Sequence, residues 1–226
     1  MAVAQCDVES LELDALLDNN RRWAMNVAAE RPGFFESLTR QQAPECLWIG
    51  CADSRVPANE LVGLQPGELF VHRNVANVVA HSDLNCLSVL QYAVDMLKVR
   101  HVLVVGHSGC GGVKAALEGL RIGLADNWVR HVRDAVEKHS LWLNSVSESS
   151  RLDAASELNV LEQVRNVCST TVMLDAWERG QDVAVHGLIY GLHDGLLKSM
   201  MLTVKSPSLA EATYAEALRR LRARFR

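Results

Sequence analysis

Along the chain, short apolar runs alternate with longer stretches in which apolar residues recur at helical spacing. Four runs have strand length: 46–51, 68–73, 101–106 and 183–190. Pro44 introduces the first, Pro66-Gly67 turns into the second, and Gly180 with Gln181-Asp182 turns into the fourth. Before them, residues 8–30 place Leu11, Leu13, Leu16, Leu17, Trp23 and Val27 among Asp, Asn and Arg until Arg31-Pro32-Gly33 stops the pattern. That stretch predicts an amphipathic N-terminal helix or two, and Phe34, Phe35 and Leu38 a short further one. Pro57 opens a short helix over about 57–63. Asp83 is placed to N-cap 84–98, whose Leu84, Leu87, Val94 and Leu97 make one apolar face. Residues 112–120, 127–139 and 153–179 also read as helices, the last unbroken until Gly180, and a terminal helix runs from Leu209 to Leu221. This alternation predicts an α/β fold: a mostly parallel central sheet of four to five strands, covered by helices, with an N-terminal helical extension. The expectation is one domain over 1–226, with a helical arm at 1–40 and a core at 44–226. The arm has no strand partner, so it is expected on the outside of the domain or across on another subunit.

At 226 residues and 49% hydrophobic, the chain can bury one substantial core. A formal net charge of -4 gives no reason to expect a nucleic-acid or membrane partner. The basic end, Arg219 to Arg226, complements the dipole of a helix C-terminus. No apolar run reaches the roughly 18 residues of a membrane span. Asp7, Glu9, Glu12 and Asp14 stand where a secretory leader would be basic and apolar. Six cysteines are too few for a disulfide scaffold of this size, which predicts a cytoplasmic protein with reduced thiols available to a metal.

The chemistry gathers at two strand ends. Cys51, Asp53 and Arg55 follow the first strand, and His107 and Cys110 follow the third. Ligands collect at the carboxyl ends of parallel strands, and zinc takes thiolate and imidazole donors. His107 and Cys110 alone fit a core histidine beside a buried thiol equally well, whereas a second strand-end thiol, Cys51, turns the balance toward metal. Gly109, Gly111 and Gly112 allow a tight turn around an ion; a phosphate loop would want a Lys-Ser/Thr pair that is missing here. His186 and His193 read as structural histidines, and Cys6, Cys46, Cys86 and Cys168 lack metal spacing.

Cys51-Ala-Asp-Ser-Arg55, His107-Ser-Gly-Cys110 and the intervening Gly67-Glu-Leu-Phe-Val-His-Arg-Asn-Val-Ala-Asn77 resemble the β class of carbonic anhydrase, in its bacterial type, and the similarity runs from about Leu11 to Leu221. The resemblance implies one Zn2+ per subunit on Cys51, His107 and Cys110, and reversible hydration of carbon dioxide to bicarbonate and a proton through zinc hydroxide. It places Asp53 beside the metal, paired to Arg55, and makes Asp53 a fourth ligand that closes the site when the pair breaks. A structural ion pair is the plainer alternative for these two. Two thiolates offset the charge of the ion, so activity is expected to favour alkaline pH. Gln42, Phe70 and Tyr92 match positions that line the substrate pocket, partly from the adjacent subunit. Trp48, Arg73 and Tyr190 match a second, non-catalytic bicarbonate site, with Val56 in the segment that moves, which implies allosteric inhibition by bicarbonate and low pH. Taken alone, Trp48 is strand core and Tyr190 a sheet-edge aromatic. A homodimer or homotetramer is implied. The competing functions are a carbon disulfide or carbonyl sulfide hydrolase on the same scaffold, and a non-catalytic zinc or anion-sensing protein.

Overall fold

The computed structural model describes residues 12–40 and 42–226. Cys6 and the start of the expected first helix at 8–11 lie outside the described residues. The chain divides into two compact units, Met1–Gln42 and Ala43–Arg226. In the first, helix α1 (Leu13–Glu30) is followed by α2 (Phe34–Leu38) across Gly33, whose φ of 82° suits glycine. Trp23 meets Phe35 edge to face at 5.7 Å, and Arg31 lies over the Phe34 ring. Leu13, Leu16, Leu17 and Met25 are exposed.

The second unit runs β1 (Cys46–Cys51), α3 (Ala58–Val62), β2 (Leu69–Asn74), a single 3-10 turn at Val75–Asn77, α4 (Leu84–Gln91), β3 (His101–His107), α5 (Gly111–Glu118), α6 (Ala125–Lys138), α7 (Ser140–Leu143), α8 (Glu148–Cys168), α9 (Thr171–Glu178), β4 (Ala184–Tyr190), β5 (Leu197–Val204) and α10 (Pro207–Arg224). The sheet order is β2-β1-β3-β4-β5, parallel except for β5. The α/β expectation holds with five strands. β5 escaped the hydrophobic reading because Lys198, Ser199 and Thr203 interrupt it; only Met200, Leu202 and Val204 turn inward, and a register shift opposite Gly187 and Leu188 bends it.

Two expected helices are broken. Within 84–98, α4 gives way after Gln91 to a π-helical turn, Tyr92–Met96, closed by Leu97 N–H donating to the Tyr92 carbonyl at 3.0 Å. Within 153–179, Ser169 and Thr170 separate α8 from α9, and the Thr170 hydroxyl caps α9 by accepting from Met173 N–H. The described helices include none long and apolar enough to cross a membrane.

Strand pairing sorts the sheet residues onto two faces. Leu47, Ile49, Val102, Val104 and Val185 enter the large core under α8 and α10, while Trp48 and Val105 enter a smaller cluster with Val56 and Ala58. Helix α8 lies close against β3: a Cβ on Gly106 would come within 2.5 Å of Val160 Cγ2, so only glycine admits the helix there.

Helix α8 also carries Glu162, which ties α6 and α10 together. Its carboxylate accepts from Lys138 Nζ at 2.8 Å and from the Tyr214 hydroxyl, and lies 2.8 Å from His139 Nε2. Burial works against the charge, but the His139, Lys138 and Tyr214 hydrogen bonds win and hold Glu162 at about 2, below its ordinary 4.5. A carboxyl depressed in the folded state stabilises fully above its unfolded value and loses that contribution as pH falls through the folded one. Glu162→Leu is expected to lower stability at neutral pH by about 3 kcal/mol, the order expected for breaking a buried ion pair, in urea unfolding. Between pH 4.5 and about 2 the wild type should lose that advantage.

Candidate metal centre

Because β1 and β3 are direct parallel neighbours, with Gly50 paired to Val105, their carboxyl ends emerge side by side. Cys51 closes β1, His107 closes β3, and Cys110 N-caps α5. All three are buried, and their ligand atoms lie within 4.8 Å of one another. The two sulfurs are 3.9 Å apart, far beyond a disulfide. Two thiolates on one tetrahedral zinc, each at about 2.3 Å, would stand about 3.8 Å apart.

The imidazole is prepared for the same role. His107 Nδ1–H donates to the Ser108 carbonyl at 2.9 Å, which leaves the Nε2 lone pair facing the two sulfurs. Nε2 is buried and has no hydrogen-bond partner. An orphaned buried nitrogen opposite two thiols offers a lone pair that could hold a cation. Among protein groups alone the sulfurs share one negative charge: the hydrogen bond from Cys110 draws Cys51 down to about 4, and the same contact pushes Cys110 well above the thiol range. A metal ion held between them would ionise both.

Asp53 stands at the rim. Its Oδ2 lies 3.7 Å from His107 Nε2. Arg55 grips the carboxylate with a fork, Nε to Oδ1 at 2.9 Å and a terminal nitrogen to Oδ2 at 2.7 Å, and its backbone N–H adds a third bond at 3.0 Å. That grip holds Asp53 well below the usual carboxylate range. Arg73 donates to the Cys51 carbonyl at 2.9 Å and to the Asp53 carbonyl, so it spans the backbone between thiol and carboxylate.

His72, Asp83 and Cys86 also bring ligand atoms within 4.8 Å. Their polar atoms are already engaged: Asn74 Nδ2 donates to His72 Nε2, and Asp83 caps α4 by accepting from Asn85 N–H. Burial pushes the Cys86 thiol up to about 12, so it stays protonated. The unmet nitrogen at His107 marks the first cluster as the better metal site.

The other expected site residues divide. Trp48, Arg73 and Tyr190 share one face of the sheet by register, and Trp48 and Tyr190 join the smaller cluster with Val56. Phe70 and Tyr92 stack at 5.8 Å. Phe70 pairs with Leu47, four positions before Cys51, about 13 Å along the strand at ~3.3 Å per residue. Within one chain that pair therefore sits away from the centre. Gln42 is exposed at the end of the first unit. Sequence reading missed Ser108, whose carbonyl sets the tautomer, and Asn159, Gln163 and Asn166, spaced to share one helix face amid the apolar residues of α8.

Residues 46–197, which include the whole cluster, match the family model described as carbonic anhydrase. A carbonic anhydrase of Emericella nidulans is 45% identical over 188 residues, 83% of this chain and 82% of that protein. The structure of a Coccomyxa β-carbonic anhydrase in complex with acetazolamide superimposes with a TM-score of 0.84 at 42% identity, covering 90% of this chain and 92% of that one. One of two tetrameric β-carbonic anhydrases of Sordaria macrospora superimposes at 0.80 with 38% identity, covering 84% and 98%. These relatives are fungal and plant-type rather than bacterial, so the class expected from sequence stands while its bacterial subtype does not follow from them. With its Cys-His-Cys cluster consistent with the zinc site of that class, the chain belongs to the β carbonic anhydrases and is an enzyme of that family.

Proposed function

We propose that Cys51, His107 and Cys110 hold one zinc ion per chain and that the site hydrates carbon dioxide reversibly to bicarbonate and a proton. What carries the reading is one juxtaposition: a buried donor set with an unmet imidazole nitrogen, and a carboxylate held ionised 3.7 Å away by a forked arginine. Zinc, when bound, would supply the Lewis acidity that makes water a nucleophile, at a more alkaline pH than an all-histidine site because two thiolates offset its charge. Asp53, kept ionised by Arg55, can only accept a hydrogen bond, so it accepts one from the attacking water and turns a lone pair of that water toward the carbon. Arg55 keeps that carboxylate out of the space the water needs. Arg73 fixes the backbone that joins Cys51 to Asp53.

Trp48, Arg73 and Tyr190 are proposed as a second bicarbonate site. The Trp48 indole lies across Gly50, where a Cβ would fall 2.2 Å from Nε1, and Gly50 is the register partner of Arg73. That buried indole N–H has no acceptor, and an oxyanion beside Arg73 supplies one. Such an anion competes with the Cys51 and Asp53 carbonyls for the guanidinium. Val56, whose N–H donates to the Asp53 carbonyl at 3.1 Å, packs in the same cluster as Trp48 and shifts with it. Asp53 then leaves Arg55 and fills the space next to His107 Nε2, which shuts out water.

Assembly as a dimer or tetramer belongs to the same proposal, with Phe70, Tyr92 and Gln42 lining the pocket of a second copy. The stacked Phe70–Tyr92 pair standing away from its own centre supports it, as do the exposed apolar residues of α1 and the tetrameric Sordaria proteins. The proposal also takes the enzyme as a single domain with residues 1–40 as its arm. A cytoplasmic location rests on the free thiols of Cys46, Cys51, Cys86, Cys110 and Cys168.

Stopped-flow hydration of carbon dioxide across pH, with zinc quantified in the same sample, is expected to show activity rising toward alkaline pH. A zinc-replete protein inactive at alkaline pH overturns the reading. Asp53→Asn should lower kcat by about 100-fold or more with zinc content unchanged; full activity would make the Asp53–Arg55 pair merely structural. Tyr190→Phe removes one hydroxyl without touching the Cys51 segment. It should raise the bicarbonate concentration for half-inhibition by about tenfold, the worth of one hydrogen bond to a charged group.

A further inference from the structure

At the amino ends of the parallel strands, on the face of the sheet that carries the smaller core cluster, two imidazoles turn ring nitrogens toward each other. Register puts them there: Leu103 pairs with His186, so His101, two residues before Leu103, shares its face and stands one step along on the neighbouring strand. His101 Nδ1 lies 3.1 Å from His186 Nε2, and the rings are inclined at 46° with centroids 5.2 Å apart. The other ring nitrogen of His186, Nδ1, lies 3.0 Å from Oγ1 of Thr203, its register partner on β5. A hydroxyl can give or take a hydrogen bond, so His186 can keep its hydrogen on Nδ1 and turn the Nε2 lone pair to His101. Both imidazoles are half-buried and Thr203 is exposed, so the pair is open to water. Six residues of β3 separate His101 from His107, about 20 Å at ~3.3 Å per residue, so the pair stands apart from the Cys51 centre.

Two nitrogens bound to one ion at about 2.05 Å stand about 2.9 Å apart at a right angle and about 3.3 Å apart at the tetrahedral angle. The 3.1 Å between these rings falls within that span. Imidazole is a donor that nickel, copper and zinc favour, and the hydroxyl behind His186 is the kind of outer partner that orients a ligating ring. We propose that His101 and His186 form a second metal site, which takes a divalent transition ion across β3 and β4 and leaves the ion's other positions to water. Histidine χ2 is a soft torsion, so a small turn of the rings aims both lone pairs at one point beside the line between the nitrogens. Each neutral ring keeps one hydrogen, on Nε2 of His101 and Nδ1 of His186, so binding shifts a tautomer and releases no proton. Burial, with the charges of His101 and Lys205, holds His186 below its ordinary 6.5, which leaves its lone pair free at neutral pH. Cys46, the register partner of His101 on β1, stays a thiol because burial and Glu45 push it up, so the donors are the two imidazoles.

The test is calorimetric titration of the tag-free, zinc-loaded full chain with nickel(II), read beside the melting temperature with and without nickel. The wild type is expected to take up one nickel that the variants lack, and to melt higher in its presence, because an ion held only by the folded chain stabilises it. His101→Gln and His186→Gln, each made alone, keep a hydrogen-bonding side chain. Each should weaken nickel by about 100-fold or more, at or beyond the upper end of what loss of an outer partner costs, whereas Thr203→Val should cost about tenfold. If one glutamine variant fails to fold, the other decides together with Thr203→Val. Nickel that goes to the Cys51 and Cys110 thiols instead gives a thiolate charge-transfer absorption and is untouched by the glutamine variants. The comparison therefore holds whether or not zinc occupies that centre, and its failure is distinct from failure of the zinc reading. No nickel uptake by the wild type at about 1 mM, or uptake that neither glutamine variant weakens, overturns the proposal and leaves the pair a structural hydrogen bond.

Discussion

The parallel pairing of β1 with β3 is the constraint from which the rest follows. It joins two strands that are not consecutive in the sequence, and it places Cys51 and His107 at one sheet edge although the whole of β2 and α4 lies between them. The remaining donors are local to those two ends, with Arg73 of β2 reaching in to the Cys51 and Asp53 carbonyls. Asp53 and Arg55 follow Cys51 within one loop, and Ser108 and Cys110 follow His107 within one turn. The donor set is accurate because a hydrogen-bonded ladder fixes both strands before any ligand is considered.

Sequence reading recovered the strand ends and their chemistry for a physical reason. Residues that bind metal are rare types, and they stood directly after apolar runs whose length identifies them as strands. β5 was missed because only alternate residues are buried and one bulge spoils even that alternation. The break at Ser169 and Thr170 was missed because it needs neither Pro nor Gly: the Thr170 hydroxyl supplies the capping bond. The amide ladder on α8 was legible in principle, since Asn159, Gln163 and Asn166 interrupt an apolar helix face at helical spacing. The partners they find were not, because the Ala76 and Val79 carbonyls they bind lie far back in the chain and an alanine in the left-handed region leaves no mark on the sequence.

Two arginines treat the same loop in different ways. Arg55 acts on a side chain and sets the charge and direction of Asp53, whereas Arg73 acts on the backbone through two carbonyls. A loop held at both levels gives the carboxylate one defined position, yet each hold is a charge-assisted bond that an anion can contest. Rigidity and responsiveness therefore come from the same interactions.

Helix α8 sits against β3 so closely that Gly106 admits no side chain. On a growing chain, Cys51, His107 and Cys110 are all made before that helix, and domains form as units once their segments are available. The thiols thus spend the interval before α8 docks without part of the core that buries them, open to oxidation and to any thiol-seeking metal in the surroundings. The single missing Cβ at Gly106 bears on that interval as well as on the finished fold: the helix that covers this face of the sheet can seat fully only where nothing projects from β3.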